Sequence, residues 1–500
     1  MEWNVIGWVV IGVYTAALSF IFCYSVIQFH LVTLYLLRRK KFKKQRVDSI
    51  PLALLTDDLP FVTIQLPVFN ELYVVERLLD AMLKIDYPKD KFEVQVLDDS
   101  NDETTKIIQE KIDKEKHLGV DIQLIRRPER IGFKAGALQY GLELAKGKYV
   151  AIFDADFIPS PDFLRKTIPH LEADPKLGVV QTRWGHINEN YSVITRMQAF
   201  GLDAHFTIEQ VGRNVGGHFI NFNGTGGVWR NATIVDAGNW QPDTLTEDLD
   251  LSYRAQIKGW KFKYLEDFES PAELPATMNA VKSQQFRWNK GGAESAVKNM
   301  RNVLKTNLPF GTKLHGVFHL LNSAVFLGIF VSSLFSIPVL IVKNHTHDMD
   351  VMFKIGTVFM FSLFSLGIYY SVSFFRIHGF SVSTFFRFLI TYPVFLSISM
   401  GLSLHNAIAV IEGYMGKKTP FIRTPKFNIT DKKDKWIKNV YLSKKLHPVT
   451  FFEGLLILYF LFGIGLGVVY NDFGLLPFHA MLVIGYSFVF FFSVKHARFA

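Results

Sequence analysis

Apolar positions are spread unevenly along this chain. Long apolar runs occupy both ends, and a polar, charged stretch lies between them. The first run extends from about Asn4 to Leu37. That is longer than the roughly 20 residues a spanning helix needs, so it tilts or projects beyond the bilayer. It is too long for a signal-peptide core, and no small-residue cleavage site follows it. Four further runs, about 315–342, 351–375, 452–470 and 477–494, read as spans. A sixth, about 384–412, carries Arg387, Pro393, His405, Asn406 and Glu412 among its apolar residues. The middle of the chain alternates short β-rich runs with helical ones. The pattern predicts strands at Phe61–Val68, Phe92–Asp98, Val120–Ile125, Tyr149–Phe153 and Val179–Trp184. Helices such as Glu71–Leu83 and Ala135–Ala145 fall between them. Such alternation implies an α/β domain with a mostly parallel sheet, joined here to an α-helical transmembrane region.

Charge then orients the chain. Lys and Arg number 55 against 45 Asp and Glu, a net +10. Seven of the nine residues from Arg38 to Arg46 are basic, and Gly413–Val449 holds ten Lys and Arg against two Asp. Basic clusters beside apolar spans mark cytosolic loops facing membrane lipids, so no nucleic-acid partner is expected. The middle region then lies in the cytosol, and the Lys343–Asp350 loop lies outside. Keeping the 413–449 loop inside requires 384–412 to lie along the interface or re-enter, which leaves five spans; six spans with the charge rule broken are the alternative. The expected domains are a transmembrane helix at 1–37, a basic cytosolic linker at 38–60 and the cytosolic α/β domain at 61–300. Next come an interfacial segment with two spans at 301–383, an interfacial segment with a cytosolic loop at 384–449, and two spans with a short tail at 450–500. One cysteine, Cys23, excludes an intrachain disulfide and a cysteine metal site; its apolar surroundings make it a packed thiol. Cytosolic enzyme, disordered chain and secreted disulfide scaffold are all excluded.

In α/β sheets, ligands bind beyond the carboxyl ends of the strands. Three predicted strands run into acidic groups there, at Glu71, at Asp98-Asp99-Ser100 and at Asp154-Ala155-Asp156. Taken singly, an acidic turn reads as helix capping. Asp154 and Asp156 are more specific, because residues i and i+2 of an extended chain point the same way. Such a pair can share Mg²⁺ or Mn²⁺, which prefer oxygen ligands and bridge carboxylates to phosphates. Thr246-Glu247-Asp248 opens a helical stretch, where capping and the helix dipole are an alternative reading. Gln284-Gln285-Phe286-Arg287-Trp288 also fits a basic amphipathic surface helix.

The conjunction is what carries meaning. Asp98-Asp99, Asp154-x-Asp156, Thr246-Glu247-Asp248 and Gln284-x-x-Arg287-Trp288, in this order and flanked by spans, resemble the cellulose synthase-like branch of glycosyltransferase family 2. The wording at Val96–Ser100, Lys134–Leu138, Ile152–Phe157, Phe222–Arg230 and Gly259–Leu265 is most similar to plant mannan and glucomannan synthase-like members. The resemblance implies a glycosyltransferase-A-like fold and a metal-dependent cell-wall polysaccharide synthase. It implies that Glu71, Asp98 and Asp99 contact the nucleoside and that Lys134 approaches the diphosphate. Asp154 and Asp156 would hold Mg²⁺ or Mn²⁺ on that diphosphate, and Asp248 would be the general base. Glu247, Gln284, Arg287 and Trp288 would face the acceptor, with Asn223 and Gly224, where Asn223 replaces the family's usual Cys. Phe421, Thr424 and Lys426 would belong to a gating loop, in which Arg423 stands where the family usually has Val.

The implied reaction is an inverting transfer from a nucleotide-sugar donor, GDP-mannose or UDP-glucose, to a growing β-linked polysaccharide acceptor that is then exported. Trp288 offers a face for a sugar ring, whereas Trp184, Trp229 and Trp240 read as core. His319 and Asn322, inside the expected second span, are candidates to line an export path, or equally to bond helix to helix. Two alternatives remain open at this point: a non-processive glycolipid synthase and a non-catalytic nucleotide-sugar-binding transporter. Short loops point to a bacterial inner membrane; a plant-type member would sit in the Golgi.

Overall fold

The computed structural model describes residues 2–44, 59–345, 357–419, 422–436, 439–442 and 446–498. Most of the expected linker, much of the Lys343–Asp350 loop and Phe421 lie outside the described residues.

The middle of the chain folds around a seven-stranded sheet. The strands are β1 (Val62–Val68), β2 (Phe92–Asp98), β3 (Asp121–Ile125), β4 (Tyr149–Ile152), β5 (Leu177–His186), β6 (Gly227–Arg230) and β7 (Lys261–Ala272). Their order is β3-β2-β1-β4-β6-β5-β7. All neighbours pair parallel except β6, which runs antiparallel to β4 and β5. The five expected strands are present with ends shifted by a few residues at most. β6 and β7 were not expected. β6 has four residues and opens on a glycine, too short for a periodic signal.

Helices α2 (Val75–Leu83), α3 (Thr104–Glu115), α4 (Phe133–Leu144) and α5 (Phe163–Ala173) link the early strands, and α1 (Glu2–Lys44) precedes them. Val62, Ile64, Leu66, Val94 and Val96 are fully buried; a Val, Leu or Ile side chain so buried stabilises the fold by roughly 1.5–3 kcal/mol. Chain order runs outward from β1 to β3, then returns to β4 on the other side of β1. The switch point therefore lies between β1 and β4, where Glu71 and Asp154 follow their strands.

After β5 come α6 (Val193–Ala204), a π-turn at His205–Glu209 and α7 (Gln210–Gly216); α8 (Asn231–Asp236) and α9 (Glu247–Ile257) lie between β6 and β7. The remaining helices are α10 (Met278–Lys305), α11 (Phe310–Leu320), α12 (Ala324–His345), α13 (Met360–His378), α14 (Val382–Gly401), α15 (Ser403–Tyr414), α16 (Val449–Val469) and α17 (Leu476–Arg498). Among the described residues, six helices are long and apolar enough to cross a membrane, within α1, α12, α13, α14, α16 and α17. The chain is a membrane protein.

Three expectations change here. The run 315–342 is broken between α11 and α12, so His319 lies on α11 and Asn322 lies in the break rather than inside a span. The segment 384–412 forms two helices, and α14 alone has the length and composition of a span, giving six such helices where five were expected. Both ends of α14 nevertheless meet the α/β domain's side of the molecule. Arg387 lies 3.8 Å from Glu189, and Leu402 packs with Ile194 and Met278. α15 runs along α10, with His405 Nε2 donating to the Lys282 carbonyl at 3.0 Å. Cys23 is exposed on α1 rather than packed. Where α14 and α17 cross, a Cβ on Gly401 or Gly485 would overlap the facing backbone. Only small residues permit that approach.

Candidate active site

The strand ends converge as α/β topology requires. Asp154 follows β4, and its backbone N–H donates to Thr225 Oγ1 at 2.9 Å. Its Oδ1 accepts from Lys134 Nζ at 2.6 Å, and the same ammonium donates to the Gly224 carbonyl at 2.9 Å. Lys134 stands in the first turn of α4, set by Gly132 at φ 71°. Burial alone would push its pKa down, but Asp154, Glu247 and Asp248 outweigh burial and the net shift is upward. Asp99 is held by a fork from Arg127, with Nε–Oδ1 at 2.8 Å and Nη2–Oδ2 at 2.6 Å. Asp98 behaves differently. Its oxygens accept from Ser100 N–H at 3.0 Å and from the Thr105 hydroxyl at 2.6 Å, and it does not line the cavity that Asp99 lines. Its observed work is to close its own turn.

Glu247 and Asp248 occupy the first turn of α9. Asp248 Oδ1 accepts from the Leu249 N–H at 2.8 Å, one of the free donors of that turn. Burial, then the neighbouring Glu247, push Asp248 up to about 7, partly offset by Lys134. Burial raises Glu247 as well, with Lys134 opposing. On α10, Gln284, Arg287 and Trp288 stand at i, i+3 and i+4 and share one face. Burial pushes the Arg287 guanidinium down, against Asp154, Glu247 and Asp248. Asn223 takes its place through its N–H to Gln181 Oε1 at 3.0 Å, while its side-chain oxygen accepts from Gln210 and Asn221 at 3.0 and 2.7 Å. Asn223 Nδ2 is buried without a partner.

A loop after α15 closes this cavity. Glu273, just past β7, accepts the backbone N–H groups of Phe427 and Asn428, each at 2.9 Å. That anchor delivers Lys426 Nζ to Asp156 Oδ2 at 2.6 Å and places Thr424 in the cavity wall. Arg423 Nε meets Glu71 Oε1 at 3.2 Å, its Nη1 donates to the Asn70 carbonyl, and its guanidinium lies 4.2 Å from the Tyr441 ring centroid. Burial still pushes Glu71 up to about 8, with Arg423 and Lys426 opposing.

Two cavities meet here. The first, about 170 Å³, is walled by Glu71, Asp99, Lys134, Asp154, Asp156, Arg287, Arg423 and Lys426. The second, about 420 Å³, runs among the apolar helices past Tyr24, His319, Asn322, Tyr369, Tyr370 and Phe395. Trp184, Asn223, Asp248, Gln284 and Trp288 line both. His319 is hydrogen-bonded to the Tyr253 hydroxyl at 2.8 Å, and Asn322 Oδ1 accepts from Tyr24 at 2.6 Å. Trp184 packs against the core as expected but also lines both cavities; Trp229 and Trp240 are core, at 0% and 4% exposure. A divalent cation fits the first cavity. Asp154 and Asp156 both face it, and Asp156 Oδ1 is a buried carboxylate oxygen with no hydrogen-bond partner, the hard oxygen donor such cations take.

Sequence reasoning missed Arg127 and Arg130. Both lie in Arg126-Arg127-Pro128-Glu129-Arg130 directly after β3, a basic run at a strand's carboxyl end that was the available signal. Arg130 covers the Phe69 ring at 3.3 Å from its centroid and lies 3.8 Å from Asp99. Arg423 and Glu273 gave no such signal, because the loop reaches the site from more than a hundred residues away.

Residues 60–291 match the family model described as glycosyltransferase like family 2. The chain is 41% identical over 292 residues to glucomannan 4-beta-mannosyltransferase 1 of Oryza sativa subsp. japonica, covering 57% of this chain and 56% of that one. It is 40% identical over 286 residues to glucomannan 4-beta-mannosyltransferase 2 of Arabidopsis thaliana, covering 56% of this chain and 53% of that one. The chain therefore spans about half the length of the curated relatives it matches. A mannosyltransferase from Pyrobaculum calidifontis, solved with GDP-Man and Mn²⁺, shares the fold, with a TM-score of 0.51 at 19% identity over 80% of this chain and 100% of that one. The glycosyltransferase-A-like architecture read from the sequence is thereby shown. These relatives from plants lend no support to the bacterial membrane.

Proposed function

We propose that this chain, whose residues 60–291 match the model described as glycosyltransferase like family 2, is a membrane-embedded inverting synthase of a β-1,4-linked glycan. GDP-mannose is the first-choice donor, on the strength of the glucomannan 4-beta-mannosyltransferases it resembles at about 40% identity; UDP-glucose is the second. The observation that carries the reading is the position of Asp248, which lines both the carboxylate-rich cavity and the cavity among the apolar helices. A donor held in the first can meet an acceptor held in the second across that one carboxylate.

The chemistry follows from the groups present. Asp99 and Glu71, at the end of the switch-point cleft, face the nucleoside. Lys134 and Arg287 are fixed positive charges where the leaving diphosphate gains charge. Asp154 and Asp156 would hold Mg²⁺ or Mn²⁺, which supplies further charge neutralisation at that diphosphate. Gln284 and Trp288 seat the terminal sugar of the acceptor, with Asn223 and Trp184 opposite. The acceptor hydroxyl oxygen bonds to the anomeric carbon as the bond to the diphosphate oxygen breaks; the electron pair leaves with the diphosphate, and Asp248 takes the hydroxyl proton. A carboxyl held up to about 7 is poised for that transfer near neutral pH. One direct displacement inverts the anomeric centre, so an α-linked donor gives a β-glycoside. The lengthened chain then advances past His319, Asn322, Tyr369 and Tyr370, whose polar edges and rings suit a saccharide.

The test is product analysis on the purified chain in nanodiscs, with labelled GDP-mannose, UDP-glucose and UDP-N-acetylglucosamine and with Mg²⁺ or Mn²⁺. High-mass product cut by a β-mannanase is the expected result. A lipid-soluble product carrying a single sugar would replace the polymer synthase with a glycolipid synthase on the same catalytic groups.

A further inference from the structure

Away from the catalytic cavity, three histidines from separate segments meet beside the first membrane helix. His30 lies on α1, His218 follows the end of α7, and His315 lies on α11. One ring nitrogen from each lies within 4.8 Å of the others, the one such grouping of three or more His, Cys, Asp or Glu among the described residues. His30 Nδ1 is 2.8 Å from His315 Nε2. The His218 and His315 rings stack with centroids 3.9 Å apart and planes inclined by 14°.

A second observation points to a ligand. His315 is only 3% exposed. Its Nδ1 has no hydrogen-bond partner, and neither ring nitrogen of His218 has one. Buried polar atoms left this way cost about 1–3 kcal/mol each, so a cluster holding three of them is an anomaly for a merely packed one. Gly216 keeps the space open, because a Cβ there would stand 2.7 and 2.8 Å from the His218 ring. Arg213 Nη1 donates to the His315 carbonyl at 3.1 Å. The nearby Arg213 charge is engaged by Glu209 at 2.9 Å.

We propose that His30, His218 and His315 form a three-imidazole site for a divalent transition-metal ion, with zinc as the first candidate, that ties the first membrane helix to the catalytic domain. Imidazole nitrogens select zinc, copper or nickel over the oxygen-seeking Mg²⁺ and Mn²⁺ of the diphosphate site, so the two sites are chemically distinct. Zinc–nitrogen bonds of about 2.0–2.1 Å place tetrahedral ligand nitrogens about 3.4 Å apart, so His30 and His315, now 2.8 Å apart, must part slightly, and the His218 ring must turn out of its stack on His315 to aim a lone pair at the ion. His218 opens the segment that runs on to Asn223 and Gly224, and His315 is one helical turn from His319. An ion here would set the position of both cavity walls.

The full chain, free of any histidine tag, is stripped with chelator in nanodiscs, dialysed against micromolar zinc and passed through gel filtration. Elemental analysis should find about one zinc per chain, with an upward shift in melting temperature over the stripped protein. His218→Gln and His30→Gln should each weaken zinc retention by at least about tenfold. Cobalt(II) added to the stripped wild type should show the visible bands of tetrahedral nitrogen coordination, a readout that needs no variant to fold. Zinc absent from the wild type, retained equally by both variants, or cobalt remaining octahedral would each overturn the site. Sugar transfer is not the readout, so failure here and failure of the synthase reading are separate results.

Discussion

Replacing Gly224 with alanine asks how tightly Asp248, the proposed base, and Lys134, the proposed diphosphate ligand, are set. Gly224 has φ +78°, and a Cβ there would stand 3.0 Å from Asp248 Oδ2 and 3.4 Å from Lys134 Nζ. Two costs separate cleanly. The left-handed backbone costs an alanine about 1–2 kcal/mol, which lowers stability only. The contact forces the Asp248 carboxylate back by a few tenths of an ångström. A full 1 Å misplacement costs about 100-fold in rate, so the smaller shift should cost about 10-fold or somewhat more, near 1.4 kcal/mol in the barrier. Gly119 supplies the control, with φ +71° and nothing closer to its Cβ position than an atom of Lys89 at 4.0 Å. Initial rates of labelled sugar transfer and thermal melts would be measured for both variants. Both should melt earlier to a similar degree, and Gly224→Ala alone should lose kcat. A Gly224→Ala enzyme within twofold of wild type, or a Gly119→Ala enzyme equally slow, would refute the reasoning.

Other outcomes follow from the same geometry. Asp248 is held up to about 7, and the base proposed there works only when deprotonated; kcat/KM should therefore rise about tenfold per pH unit below 7 and level off above it, and a rate falling with pH would contradict this. Lys426 competes for Asp156 at 2.6 Å, and a charge-assisted bond is worth about 1.5–3 kcal/mol. Lys426→Met should lower the Mn²⁺ concentration for half-maximal Mn²⁺ binding, followed by electron paramagnetic resonance, by about tenfold; an unchanged titration rejects the competition. Arg213 is fully buried and paired with Glu209 at 2.9 Å. Arg213→Met should destabilise the domain by about 3–5 kcal/mol, read as a large drop in the denaturation midpoint, and a shift under 1 kcal/mol would show the pair to be dispensable.

Elements whose pattern is local were legible in the chain. β1, β2 and β4 are buried on both faces, so they appear as short β-rich runs, and Glu71, Asp99 and Asp154 just beyond them could be read directly as cavity residues. Asp99 and Asp98 look alike in sequence; only the fold shows that Asp98 spends both oxygens on Ser100 and Thr105. β6 is too short to leave a period, and its antiparallel pairing depends on a long return of the chain. Trp184 looks like any strand tryptophan, and its exposure to both cavities arises from the approach of α10. Arg423 is the clearest case. This residue, which stands where the resembled family usually has Val, places a guanidinium against Glu71, a long-range contact that no local spacing encodes. The α11–α12 break falls at Leu321–Ser323, within a run of apolar character that hydropathy reads as continuous.

The most direct test of the central claim places the purified chain in sealed vesicles with the catalytic domain outward. Labelled GDP-mannose and Mn²⁺ are added outside, and β-mannanase is applied before and after detergent. The account predicts a high-mass product protected from the enzyme until the vesicles are opened, and no product from Asp248→Asn. Polymer digested without detergent would contradict passage through the membrane-side cavity, and full turnover by Asp248→Asn would remove the base on which the mechanism stands.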